Sequence, residues 1–137
     1  MRLGFPLVPL VMLALASSGQ GGEPKGKRPR LDLRASPRVA MPPVNVRLVA
    51  ELAGGDESEE FYCPGLEWEW GDGARSAQES DCPPFAPGAE FARRFSATHA
   101  YLQPGDYQIR VRLRRADRSL ASATTTISVH GLSASSE

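Results

Sequence analysis

The chain has 137 residues, 41 % of them hydrophobic, with 16 basic and 16 acidic side chains, 13 glycines, 12 prolines and two cysteines. That length allows one ordinary domain with a single core, and the even charge gives no general attraction to nucleic acid. Only Lys25 and Lys27 are lysine, an arginine bias that fits a GC-rich, bacterial genome and carries no functional weight.

At the N-terminus Arg2 precedes an apolar stretch from Leu3 to Ala16, followed by small and polar residues. This reads as a signal peptide over residues 1–18, cleaved after Ala16 or Ser18. A membrane span would need about 20 apolar residues without the interruptions of Pro6 and Pro9. No cysteine follows the stretch, so lipid attachment is not expected, and the mature protein is expected to be soluble and secreted or periplasmic. Losing Arg2 leaves 15 basic against 16 acidic residues. Residues 19–30, rich in Gly, Pro, Lys and Arg, cannot offset their conformational entropy by burial and read as a flexible basic linker.

Export places Cys63 and Cys82 in an oxidising compartment, where two cysteines allow one intramolecular pairing. They lack a CxxC spacing and a nearby histidine, so a zinc site would fall two ligands short.

From Leu31 the apolar pattern takes a period of two. Val44, Val46, Leu48, Ala50 and Leu52 alternate with polar residues, which predicts a half-buried strand. A second run alternates Leu66, Trp68 and Trp70 with Glu67 and Glu69 and stops at Gly71-Asp72-Gly73, a turn signal. In the third, Tyr107, Ile109, Val111 and Leu113 share one face and Gln108, Arg110, Arg112 and Arg114 the other. The fourth spans Leu120 to Val129, with Ala123, Thr125, Ile127 and Val129 together. Weaker strands are expected at Leu31 to Ala35 and Glu90 to Ala97, and no helical window appears. About seven strands in about 100 residues predict an all-β, two-sheet antiparallel sandwich over residues 31–130. Residues 131–137 read as a polar tail, with no further domain expected.

The run Leu66 to Gly73 resembles the signature Trp-x-Phe-Gly-Asp-Gly of the PKD (polycystic kidney disease) domain, with Trp70 where Phe is usual. Downstream, His99-Ala100-Tyr101 and Pro104-Gly105-Asp106-Tyr107 resemble the His-x-Tyr and Pro-Gly-x-Tyr of the same family, in the same order. The resemblance implies an immunoglobulin-like sandwich used for adhesion or presentation, with Trp68, Trp70, Gly71, Asp72, Gly73, His99, Tyr101, Pro104, Gly105 and Tyr107 as framework. Trp68 falls where such sandwiches bury a Trp, and Gly105-x-Tyr107-x-Ile109 has the form of a tyrosine corner. Ile109 stands at the position of the antibody cysteine, so that cross-sheet disulfide is not expected. The Cys63–Cys82 segment and the acidic insertion Asp56 to Glu60 depart from the family pattern. The bond is expected to clasp the turn after Gly73 against the start of the Trp68 strand.

Catalytic chemistry finds little support. His99 is the one well-placed imidazole, at a strand junction that favours a structural hydrogen bond, and His130 falls in a frayed strand end. Glu67 and Glu69 have a spacing that superficially suits a glycosidase pair, but a flat sheet face offers no sugar pocket. Cross-strand pairs with Arg110 and Arg112 are the simpler expectation. Asp72 could ligate calcium with Asp56, Glu57, Glu59 and Glu60, but calcium wants six to eight oxygens and a turn explains the glycines as well.

The sequence therefore points to an exported, non-enzymatic module without cofactor or metal. Its candidate interaction face is Glu67, Glu69, Arg110, Arg112 and Arg114, its partner a protein or polysaccharide. The alternative is a spacer or accessory subunit of an extracytoplasmic complex.

Overall fold

The structure is a computed structural model that describes residue 4 and residues 28–131. The expected signal peptide, most of the linker and nearly all of the tail lie outside the described residues. Eight strands form among the described residues: β1 (Arg30–Ser36), β2 (Val39–Ala40), β3 (Val44–Ala53), β4 (Gly65–Glu69), β5 (Arg75–Gln78), β6 (Arg94–Tyr101), β7 (Gly105–Arg115) and β8 (Arg118–Val129). A single 3-10 turn, Glu59–Phe61, lies between β3 and β4.

Two sheets pack face to face, one ordered β1-β3-β6 and the other β2-β8-β7-β4-β5. All pairings are antiparallel except the short β2–β8 contact, which is parallel. The chain changes sheet across Pro37: Ser36 pairs with Arg47 in the first sheet, whereas Val39 pairs with Ser128 in the second. Proline has no N–H to offer a ladder, so it suits a position where one ladder ends before the next begins.

The period of two fills the space between the sheets. Val46, Leu48, Ala50 and Leu52 of β3 face Leu66 and Trp68 of β4 together with Ile109, Val111 and Leu113 of β7, all buried. Each such aliphatic side chain contributes about 1.5–3 kcal/mol by leaving water, and no polar or charged residue among those described is buried with them. Leu120 joins the core out of phase with Ala123 to Val129. A register shift sets Leu113 opposite Ala121 but Arg114 opposite Ser119, and the extra residue turns Leu120 inward.

Four details differ from the sequence expectation. β2 and β5 are additional short strands, and β5, exposed at all four residues, has no apolar face by which to be recognised. β6 starts at Arg94 rather than Glu90, because Phe91 is taken up by an aromatic cluster and Arg93 by the acidic insertion. Arg30, assigned to the linker, opens β1 and pairs with Ala53. His130 is not frayed, since its N–H donates to the Ala40 carbonyl at 2.9 Å.

The two poles of the sandwich follow from the register of β7. Glu69 pairs with Arg110 near its beginning and Gly65 with Arg114 near its end. The Gly71-Asp72-Gly73 turn therefore sits at the pole where β7 starts. The β7–β8 turn and the acidic insertion share the other pole. Gly71 has φ +85°, and a Cβ there would lie 2.6 Å from the Gln108 carbonyl oxygen; Gly73, at φ +93°, has open space. Gly71→Ala should cost more than about 2 kcal/mol and Gly73→Ala about 1 kcal/mol, since only the first adds a backbone clash to the left-handed conformation. Urea denaturation of the two variants checks this, and equal losses would contradict the close approach.

Candidate functional site

Trp70 leaves the end of β4 pointing into the core, and every group it carries is engaged. Its ring lies between Trp68, at 5.2 Å and 3°, and the His99 imidazole, at 4.5 Å and 5°. The indole N–H donates to Ser76 Oγ at 2.9 Å, on β5. Its backbone N–H donates to the Ala74 carbonyl at 3.1 Å, and its carbonyl accepts from the Tyr101 hydroxyl at 2.7 Å. A Phe at this position would stack but could not reach Ser76.

Asp72 ties the turn to the opposite sheet. One carboxylate oxygen accepts the Ala74 N–H at 2.9 Å, and the other lies 2.8 Å from His99 Nε2 on β6. Partial burial pushes this carboxyl up, but hydrogen bonds from His99 and the Ala74 amide, with the charge of His99, outweigh it and hold the group below its ordinary 3.8. Burial raises the Tyr101 phenol far above the usual tyrosine range, reinforced by the Asp72 charge and by Tyr107. It therefore stays an O–H donor to Trp70. Tyr107 bonds back to the Gln103 carbonyl at 2.6 Å, four residues upstream, which is the tyrosine-corner contact. Gly105 makes room for it: a Cβ there would stand 3.2 Å from the Tyr107 ring, and Pro104 packs near Gly131 at the same pole.

The Asp72–His99 pair has the look of a catalytic Asp–His couple, but the described hydrogen bonds of His99 reach Asp72 alone. Its ring is stacked on Trp70 and edge-on to Tyr101 at 4.9 Å. A base needs a nucleophile within hydrogen-bond reach. Trp68, fully buried, keeps an indole N–H without a hydrogen-bond partner among the described residues. Burying a ring of that size outweighs the roughly 1–3 kcal/mol cost of one unmet donor.

The charged face lies on the outside of the five-stranded sheet. Arg114 meets Glu67 at 3.1 Å, and Arg112 reaches Glu67 at 3.8 Å and Glu69 at 3.7 Å. Arg112 thus stands between the two carboxylates, the opposite of the open arrangement a glycosidase pair requires. Arg110, opposite Glu69 in the register, is exposed and forms no ion pair among the described residues; Arg114 takes the pairing role expected of it. Arg112 stands directly opposite Glu67 and its side chain also reaches diagonally to Glu69. Such half-exposed pairs contribute under about 1 kcal/mol each, so they orient the arginines more than they stabilise the fold.

The acidic insertion is held by arginines at the far pole from Asp72. Arg93 pairs with Glu57 at 3.4 Å and donates to the Gly54 carbonyl, Arg118 pairs with Glu60 at 2.9 Å, and Arg115 donates to the Glu59 carbonyl. Arg28 adds a looser pairing to Glu60 at 3.8 Å. Glu57, Glu59 and Glu60 therefore do not join Asp72, and no cluster of three potential metal ligands occurs among the described residues.

Cys63 and Cys82 form the expected disulfide, separated by 19 positions. Its place differs from the expectation: it lies beyond the Leu66–Gln78 pair, at the open end of the β4–β5 hairpin, and the Gly71 to Gly73 turn is at the opposite end. The clasp therefore fastens the segment leaving β5 to the start of β4. Beside it Tyr62, Phe85 and Phe91 form an edge-to-face cluster, with ring centroids 5.4 to 6.1 Å apart, and the Tyr62 hydroxyl donates to the Pro83 carbonyl. A cleft of about 260 Å3 opens between clasp and face, bordered by Glu67, Glu79, Arg114 and Arg115.

Ser76, Gln103 and Arg93 lie beyond sequence reasoning, as does the contact of Arg115 with the Glu59 carbonyl. Ser76 had one available signal: counted back across the turn, it stands opposite Trp68 on the inward side of β5.

Asp72, held below its ordinary value, contributes stability that is complete above the unfolded pKa near 4 and is lost as pH falls through the folded value. Asp72→Asn keeps an acceptor for Ala74 and removes the charge, so denaturation midpoints of the variant should fall less steeply than wild type between about pH 5 and pH 2. Parallel acid limbs would exclude Asp72 as their source. Reducing the disulfide should lower stability by roughly 3 kcal/mol on the loop-entropy account. The loss should be equal in a Cys63→Ser/Cys82→Ser double variant, and a loss below about 1 kcal/mol would mean that the aromatic cluster alone holds the segment.

None of the curated proteins searched matches the chain. The family model described as PKD domain matches residues 30–129, which reaches from the first residue of β1 to the last of β8. With its Trp70-Gly71-Asp72-Gly73 turn anchored on His99 and Tyr101, the chain belongs to the PKD domain family.

Proposed function

We propose that this chain is a non-catalytic, exported module that binds a protein partner through the outer face of its five-stranded sheet. The family is one of general extracellular interaction modules, and a disulfide suits an oxidising compartment. The observation that carries the reading is the division of labour among the polar residues. Asp72, His99, Tyr101 and Tyr107 turn inward to bind backbone and one another. The arginines of β7 are displayed outward instead.

Around Glu67 and Glu69, the register places Arg110, Arg112 and Arg114 on one side and Arg75 on the other, four positive groups to two negative. Arg112 and Arg114 are oriented by the glutamates and keep donors for a further carboxylate. Ser122 and Thr124 of β8 extend the same surface opposite Arg112 and Arg110. The outward side chains of β4, β7 and β8 include no aromatic ring on which a sugar would stack. This favours a protein with an acidic surface over a polysaccharide, and an acidic polysaccharide is the second ligand to try.

Arg110 gives the cleanest test because no ion pair among the described residues depends on it. With the protein immobilised and exposed to secreted and periplasmic fractions, one saturable partner should be retained. Arg110→Glu should weaken it by about tenfold or more while changing the melting temperature by less than about 2 °C. Retention unaffected by the charge reversal would place the contact elsewhere. No saturable partner in either fraction would favour the spacer.

A further inference from the structure

The sandwich has four strand edges, and three of them are blunted. β2 has two residues, with Pro42 and Pro43 soon after it, and β5 has four. β1 carries Arg30, Asp32 and Arg34 and is followed at once by Pro37. These are the usual protections against edge pairing: short length, charge and proline. β6 has none of them. It runs for eight residues, without proline or register shift; its one arginine is Arg94 at the first position, and His99 faces inward to Asp72.

The direction of its backbone groups follows from one bond. The Leu52 N–H donates to the Arg93 carbonyl at 2.8 Å, so Arg93 faces β3. In an antiparallel ladder both groups of a residue point to the same side and alternate along the strand. The odd-numbered residues of β6 therefore bind β3, and Arg94, Ser96, Thr98 and Ala100 turn their N–H and C=O groups to the free edge. No backbone bond to these groups occurs among the described residues, and all four residues are exposed.

We propose that β6 pairs with β6 of a second copy, joining two three-stranded sheets into one of six. A twofold axis at Thr98 sets Thr98 opposite itself and Ser96 opposite Ala100 of the partner copy, so the free donors of Ser96, Thr98 and Ala100 each meet an acceptor. Same-parity pairing keeps each apolar face on the core side, which the pleat requires. The outward side chains of the paired residues Ser96, Thr98 and Ala100 are small and uncharged, so they do not collide. The twofold sends the two Arg94 side chains to opposite ends of the ladder, so the edge is complementary to itself in charge as well as in hydrogen bonding. An unrelated extended peptide would need its own matching register. A contact of this size lies at the low end of specific interfaces, and its dissociation constant should be on the order of tens of micromolar.

The test is sedimentation equilibrium of the purified protein from about 5 µM to about 500 µM, with hydrogen exchange at both limits. The mass should rise from one chain toward two, and the amides of Ser96, Thr98 and Ala100 should exchange at least about tenfold more slowly at the upper limit. Thr98→Pro removes an N–H that no bond within one copy uses, and Thr98→Lys leaves the backbone intact but brings two ammonium groups together. Both variants should remain monomeric throughout, and Thr98→Lys should melt as wild type does at low concentration. A wild-type chain that stays monomeric overturns the proposal. So does a dimer that persists in Thr98→Lys or leaves the β6 amides unprotected.

Discussion

The structure depends on Trp70 more than on any other residue. Its ring joins β4 to β6 across the core through His99, its indole N–H secures β5, and its carbonyl accepts the Tyr101 hydroxyl. The first and third of these contacts link the two sheets, and the second holds a strand that buries nothing of its own. Stacking and hydrogen bonding are each worth about 0.5–1.5 kcal/mol net. Their combined effect is geometric, because they fix where the β4–β5 hairpin lies and therefore where Glu67 and Glu69 stand. Asp72 completes the arrangement by holding the His99 ring in the plane that stacks.

The same economy ties a motif rich in functional-looking residues into the framework of the fold. An Asp, a His and two tyrosines converge at one pole, yet each is bound to backbone or to another member of the group. A carboxylate that accepts a backbone N–H and faces an imidazole is stabilised in its charged form, which suits an anchor. What remains outside this framework is the surface of the five-stranded sheet, where the glutamates of β4 orient two arginines of β7 and leave Arg110 unengaged. At the other pole, four arginines hold the acidic insertion, three by ion pairs and one through a backbone carbonyl, and the disulfide closes the hairpin beside it.

Much of this was legible from residue pattern because the burial signal in a sandwich is parity. Val46 to Leu52, Leu66 to Trp70 and Ile109 to Leu113 announce their inward faces directly. β5 was not legible because Arg75 to Gln78 is exposed throughout and is held by pairing and by one indole bond. The start of β6 was misplaced because Phe91 looks like a strand residue but packs with Tyr62 and Phe85. Leu120 could be placed inward only by knowing of the register shift beside it. The ion pairs show the limit of register reasoning: Arg110 is directly opposite Glu69, yet side-chain reach gives both glutamates to Arg112 and Glu67 to Arg114. The disulfide partners were set by count, and their position at the open end of the hairpin required β5.

The central claim is that Trp70 and its partners open only when the whole domain unfolds. Native-state hydrogen exchange of the Trp70 indole and backbone N–H groups, measured against denaturant, tests it most directly. The account predicts opening free energies equal to global unfolding, matching those of the β3 and β7 core amides. Exchange through a smaller, local opening would show that the turn is a mobile element and not the anchor of the fold.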